Sequence, residues 1–173
     1  MEISFKPLLE SHFPLLLKWL EKPHVKTWWD PDILWTEEQI RNKYRSYVQG
    51  YKLENGVVKT IHAFIIEADD HPIGYIQVYN AYDFPRSSPL SDLPEYLAAF
   101  DILIGDQEYL SKGIGSLALT LFWGTFFKGN YQAVFADPDR RNIAAIRAYE
   151  KAGFKKMKEN PATNETWMLK DLS

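Results

Sequence analysis

A single α/β domain with a mixed sheet is predicted by three features of the sequence. A hairpin pattern over 62–80 gives antiparallel strands in the first half. The second half alternates strand, helix, strand, helix. No linker and no internal repeat interrupts the apolar segments, and 173 residues suit one domain spanning 1–173.

The elements follow in order. ISFKPL (3–8) alternates as a first strand. ESHFPLLLKWLEKP (10–23) has helical spacing, with Phe13, Leu16, Leu17 and Leu20 on one face and Pro23 as the stop. HVKTWWDPDILW is an irregular aromatic stretch. TEEQIRNKYRSYVQG (36–50) starts as a capped helix, with Thr36, Gln39 three residues on, and Gly50 at the end. HAFIIEADDHPIGYIQVYN (62–80) reads as strand, Asp-Asp-His-Pro turn, strand. Residues 81–97, with three prolines and three serines, form a long loop of a length usually tied to function.

AAFDILIG is the next strand, and KGIGSLALTLFWGTFFKGN is a helix with Ile114, Leu117, Ala118, Leu121 and Phe122 on one face. YQAVFADP is a strand. RRNIAAIRAYEKAGF is a helix closed by Gly153, with Phe154 placed to pack back. A strand or hairpin around 155–169 ends the chain. The β-α-β crossover puts 99–104 and 131–136 parallel and adjacent.

Bulk composition excludes several function classes. The hydrophobic fraction of 46% against 25% charged residues argues for a folded core. The absence of cysteine excludes disulfides and thiolate metal sites and points to a reducing cytoplasm. MEISFKPLLESHF lacks the basic and apolar regions of a signal peptide, and no apolar run is long enough to span a bilayer. A net charge of −3 with no basic cluster argues against nucleic acid. The four histidines lack metal-ligand spacing, so no metal is expected.

Gly113-Ile-Gly115-Ser116 opens a helix, and backbone N–H groups there can hold an anion. The turn alone is ambiguous. It matches Gly-x-Gly-x-x-Ala, but eight residues separate it from the strand end, against the dinucleotide fingerprint. No Gly-Lys-Ser/Thr follows, so it is not a P-loop. A plain helix start with glycines for close packing reads equally well.

Two separate pieces resemble the GNAT superfamily of acetyl-CoA-dependent N-acetyltransferases. The first is the x-x-Gly-x-Gly-Ser turn, Leu110 to Ser116. The second is Asn-x-x-Ala-x-x-x-Tyr-Glu-Lys-x-Gly-Phe, Asn142 to Phe154. Leu110 departs from the Gln or Arg that many members carry. The resemblance implies a central, mostly antiparallel twisted sheet with one splayed parallel strand pair and about four helices. It implies acetyl-CoA as cofactor. Its pyrophosphate would sit on the N–H groups of Lys112, Gly113, Ile114, Gly115 and Ser116. Its pantetheine arm would pair with Ile102, Leu103 and Ile104. Asn142 would contact it, and Tyr149 would also do so as general acid for the departing thiolate.

Asp101 stands in the middle of an apolar strand, where an unpaired carboxylate is costly. In an N-acetyltransferase an ammonium must lose a proton before it attacks. Carboxylates are weak bases toward such groups. The expected role of Asp101 is therefore to position the amine and relay its proton.

FDILIGDQEYLSKGIG and HVKTWW most resemble the aminoglycoside 6′-N-acetyltransferases, which show Asp at this strand position. Siderophore acyltransferases acting on N-hydroxylysine share His-x-x-x-Trp-Trp, here His24 to Trp29, but typically show His in place of Asp101. Residues 83–108 hold six acidic side chains and one basic, Arg86, a balance that would concentrate a polycation. Asp92, Glu95, Asp101 and Asp137 are the candidate amine ligands, and Trp28 and Trp29 the candidate stacking surface. His24 is expected to make a structural hydrogen bond. The expected partner is a small-molecule amine, an aminoglycoside before an N-hydroxylysine, a polyamine or a peptide amine, with the chain a monomer or homodimer. A non-catalytic acyl-CoA sensor is the third alternative.

Overall fold

In the computed structural model, residues 1–86, 88–160 and 163–173 are described. They divide between two compact units. One comprises Met1–Gln77 with Asp101–Lys112, the other Val78–Phe100 with Gly113–Ser173.

In the first unit β1 (Ile3–Pro7) leads through a turn into α1 (Phe13–Leu20). The buried positions of α1 are Leu16, Trp19 and Leu20, so the apolar face is turned toward Trp19 and away from Phe13. Pro23 does not close this helix. It is the first residue of the short α2 (Pro23–Lys26), a position where proline's missing N–H costs nothing. α3 (Glu37–Val48) carries the expected capping box. Gln39 N donates to Thr36 Oγ1, and Thr36 N donates to Gln39 Oε1. Ile40, Tyr44 and Tyr47 form its buried line.

A strand absent from the sequence reading, β2 (Tyr51–Glu54), pairs antiparallel with β3 (Val57–Ala68). Asn55 and Gly56 join them at φ 50° and 78°, the left-handed pair that a two-residue hairpin requires. The far end of β3 pairs antiparallel with β1, from Ile3↔Ala68 to Pro7↔Phe64. The next turn is Asp69-Asp70, at φ 48° and 63°. His71 and Pro72 already belong to β4 (His71–Asn80), so the expected four-residue turn is two residues shorter. Within this unit the strand order is β1, β3, the first part of β4, then the second part of β5 (Leu97–Ile104). Gly74 is required where β4 meets β5, because a Cβ there would lie 2.3 Å from the Leu103 carbonyl oxygen.

The second unit contains the last residues of β4, the first half of β5, then β6 (Ala133–Ala136), β8 (Glu165–Asp171) and β7 (Lys155–Asn160) in that spatial order. β5 and β6 are parallel, with Leu97↔Ala133, Ala98↔Val134 and Ala99↔Phe135. The β6–β8 and β7–β8 pairings are antiparallel. The loop 81–97 is held by Leu90 and Leu93, which pack on a cluster of Ala81, Leu97, Ala99, Ala133, Phe135 and Trp167.

α4 (Ile114–Leu121) is shorter than its sequence pattern and passes into a π-helical turn at Phe122–Phe126. Its buried residues are Ile114, Ala118 and Leu119, while Leu117 is exposed. α5 (Ile143–Lys151) ends as expected. Gly153 lies at φ 95°, and Phe154 packs on Tyr149 at 5.8 Å between ring centroids. Among the described residues there are thus five α-helices, α2 being the one not foreseen. No helix among them is long and apolar enough to cross a membrane.

Candidate active site

In the first unit Asp101 is half-buried on β5. Gln77 Nε2 donates to Asp101 Oδ2 at 2.9 Å. Gln77 is itself buried, and its Oε1 accepts from the Tyr75 hydroxyl at 2.8 Å. The direction of this chain is forced. A carboxylate only accepts, so the amide must present its NH2 group to Asp101 and its oxygen to Tyr75. The Tyr75 phenol must then be protonated. Burial pushes its pKa well above the ordinary value, and the neighbouring Tyr44, Tyr47 and Asp101 push the same way.

Two further phenols surround this chain. Tyr44 meets Tyr75 and Tyr47 edge-on, at 5.9 and 5.1 Å between centroids. Burial, then Tyr47 and the Asp30 carboxylate, raise the Tyr44 pKa; burial, then the Asp101 and Asp30 carboxylates, raise that of Tyr47. Trp29 stands edge-on to Tyr75 at 6.1 Å, which joins it to the Asp101 cluster. Its neighbour Trp28 is exposed.

Downstream of Asp101, the backbone of Ile102, Leu103 and Ile104 is braced on one side. Gly105 N and Asp106 N both donate to Ile73 O. His24 Nε2 lies 2.9 Å from Ile104 O. A carbonyl only accepts, so this nitrogen carries the hydrogen, and His24 makes the structural bond expected of it. Among the described residues no cluster of metal-ligating side chains occurs.

In the second unit the glycine turn opens α4. Gly113 is the N-cap at φ 74°, ψ 10°, a left-handed conformation that suits glycine. Ser116 Oγ donates to Gly113 O at 3.0 Å, and Leu117 N bonds the same oxygen. The first N–H groups of a helix have no intrahelical acceptor. A Cβ at Gly113 or Gly115 would meet nothing within 4 Å. Packing therefore does not require glycine at 115. The open space above the first turn suits a phosphate approaching the backbone. Lys112, just before the turn, is exposed.

α4 packs against α5, which carries Asn142 and Tyr149. Asn142 is the N-cap of α5, and its Oδ1 accepts from Ala145 N. Only its side-chain amide nitrogen remains as a donor for a ligand. Tyr149 is partly exposed, and its ring is held edge-on by Phe100 at 5.4 Å. Phe100, Phe154 and Trp123 form an apolar wall around it. The phenol thus has an apolar ring face and partial access to solvent, as a proton donor requires.

The acidic candidates of this unit have different surroundings. Asp92 and Glu95 are exposed in the loop, Asp92 at φ 61°. Asp137, just past the end of β6, is ion-paired with Arg86 at 2.8 Å. Sequence pattern alone assigns no role to Gln77, Tyr75 or Arg86. A signal did exist for Gln77, a polar residue inside the apolar run GYIQV, as Asp101 is inside AAFDILI.

Comparison with known proteins gives the same family. A model of the GNAT acetyltransferase domain matches residues 8–161. The aminoglycoside N(6′)-acetyltransferase type 1 of Klebsiella pneumoniae is 25% identical over 155 residues, covering 89% of this chain and 74% of that protein. The lysine N-acyltransferase MbtK of Mycobacterium tuberculosis is 27% identical over 158 residues, covering 90% of this chain and 70% of that protein. The solved structure of AAC(6′)-Ib with ribostamycin and coenzyme A has the same fold. Its TM-score is 0.83 at 22% identity, over 99% of this chain and 94% of that one. With the match spanning nearly the whole length, the chain belongs to the GNAT family of acetyltransferases.

Proposed function

We propose that residues 1–173 act as one N-acetyltransferase that moves acetyl from acetyl-CoA to a primary amine of a cationic small molecule, the 6′-amine of an aminoglycoside. The observation that carries this reading is Asp101, a half-buried carboxylate on β5 whose orientation is set by Gln77. Relatives named as aminoglycoside N(6′)-acetyltransferases support the substrate class.

Acetyl-CoA supplies an activated thioester carbonyl. The residues present fit it, since the first turn of α4 opens onto free space at Gly113 and Gly115. In this reading the N–H groups from Lys112 through Ser116 hold the pyrophosphate, and the Asn142 amide adds a donor. Ile102, Leu103 and Ile104 pair through their backbone with the pantetheine arm. Asp101 binds the substrate ammonium, orients it and passes its proton to water. The freed nitrogen would form the C–N bond as the C–S bond breaks, the Tyr149 phenol would protonate the departing thiolate, and the second proton shed by the new amide nitrogen would restore the phenol. Trp28 and Trp29 offer apolar faces to sugar rings, Asp92 and Glu95 add negative charge, and Asp137 stands beside the acceptor paired with Arg86. The enzyme works in the cytoplasm, as a monomer or homodimer.

A second reading, acyl transfer to N-hydroxylysine, is supported by the similarity to a lysine N-acyltransferase. Release of free CoA from acetyl-CoA separates the two, with kanamycin, tobramycin and N-hydroxylysine as separate acceptors and Asp101→Asn beside the unaltered enzyme. Turnover of the aminoglycosides, lost in Asp101→Asn, is the expected result. Turnover of N-hydroxylysine alone would replace it with the second reading. Silence with all three would remove both.

A further inference from the structure

Arg86 is the one basic residue in the acidic stretch 83–108, and it is firmly held. Its Nη1 donates to Asp137 Oδ2 at 2.8 Å, and its Nε donates to Ala81 O at 3.3 Å. Its guanidinium carbon lies 5.0 Å from the centre of the Phe135 ring. Phe135 is fully buried in the cluster that also anchors the loop through Leu90 and Leu93. The Arg86 side chain is only 15% exposed, whereas Asp137 is 34% exposed. Hydrogen bonds and an aromatic face thus fix the guanidinium, and the carboxylate keeps solvent access.

Asp137 directly follows β6, at the carboxyl end of a parallel strand. That end is where open α/β sheets take their ligands. A carboxylate there would attract a second ammonium of a polycationic acceptor, but Arg86 already neutralises it. We propose that Arg86 is a specificity-determining residue. Its guanidinium fills the position of a substrate ammonium on Asp137 and so lowers the preference for polycations over single amines. This rests on the amine-acceptor reading given above. The selectivity is set by competition: the protein's own cation competes with a second ammonium of the acceptor for Asp137.

The test compares kcat/KM for kanamycin, which carries several ammonium groups, with that for 6-amino-6-deoxyglucose, which carries one. Arg86→Gln removes the charge. Arg86→Met also removes it but keeps an aliphatic stem over Phe135, in case Gln loosens the loop. Arg86→Lys retains the charge. Both neutral variants are expected to raise kcat/KM for kanamycin about tenfold through KM, as released electrostatic complementarity does. The single amine should change less than about twofold, a span that surface charge loss alone covers. Arg86→Lys should resemble the unaltered enzyme. An equal change for both acceptors, or no rise with kanamycin, would overturn the role of Arg86 and leave the aminoglycoside reading standing. If no variant acetylates either acceptor, the aminoglycoside reading itself falls, and this inference with it.

Discussion

Gln77 Nε2 donates to Asp101 Oδ2 at 2.9 Å, and the amide is held in turn by the buried Tyr75 hydroxyl. Twenty-four residues separate the amide from the carboxylate in sequence. Because both amide ends are committed, Gln77 cannot flip without mismatching the buried Tyr75 hydroxyl and the half-buried Asp101 carboxylate. The carboxylate is thereby aimed by groups that do not themselves react.

Gln77→Leu keeps the volume and removes the aim. It should lower kcat/KM about tenfold or more, while Asp101→Asn should cost about a hundredfold or more, the range of a positioned acid or base. The decisive reading is the pair. If Gln77 acts through Asp101, Gln77→Leu adds little once Asp101 is Asn. Full multiplication of the two losses would show that Gln77 acts independently of Asp101. The single variant should also lose about 1–3 kcal/mol of stability, because the Tyr75 hydroxyl loses its acceptor.

Tyr149→Phe isolates the phenol from its ring. The ring contacts with Phe100 and Phe154 at 5.4 and 5.8 Å survive, so stability should stay within about 0.5 kcal/mol. Turnover should fall about a hundredfold with CoA affinity unchanged, measured by stopped-time CoA release and by calorimetry. Unchanged turnover would make Tyr149 a wall residue.

Local signals were legible in the sequence and held. The Thr36–Gln39 capping box and the Gly153 helix stop appear where the pattern puts them. The β5–β6 parallel pair follows from one crossover. The misses have physical reasons. Asn55-Gly56 is a strong hairpin signal, but the flanking YKLE and VVKT are too short and polar to read as strands. Pro23 both ends and starts helices, and only the fold decides which. Arg86 and Asp137 lie 51 residues apart, and no spacing rule reports that a loop folds its lone cation onto an acid. Asp101 was visible as an oddity, whereas its partner on β4 needed the strand register.

Gly113 and Gly115 should respond differently to alanine. Gly113 sits at φ 74°, so Gly113→Ala should cost about 1 kcal/mol or more of stability. Gly115 has ordinary helical geometry and nothing within 4 Å of a Cβ. Gly115→Ala should therefore stabilise the ligand-free protein, by up to about 1 kcal/mol of helix propensity. The same methyl would stand where the pyrophosphate approaches, so CoA affinity should fall. Thermal melts and CoA titration check the two halves separately. A more stable protein with undiminished CoA affinity would move the pyrophosphate away from this turn.

The three buried phenols of Tyr44, Tyr47 and Tyr75 should make stability fall at alkaline pH. All three are raised above the ordinary value, by burial first and by one another or nearby carboxylates second. In the unfolded chain they titrate near pH 10. Above that pH the unfolded chain has released protons that the native state still holds. The unfolded state then binds fewer protons, and stability falls as pH rises. Below about pH 10 the contribution is complete and constant. Above it the slope approaches about 1.4 kcal/mol per pH unit for each phenol kept neutral. Tyr44→Phe retains the ring contacts with Tyr75 and Tyr47 and removes one titrating group. Urea unfolding between pH 9 and 11.5 should show the variant losing stability less steeply, by about one proton's worth of slope. Parallel curves would mean that the Tyr44 phenol ionises as easily in the native protein as in the unfolded chain.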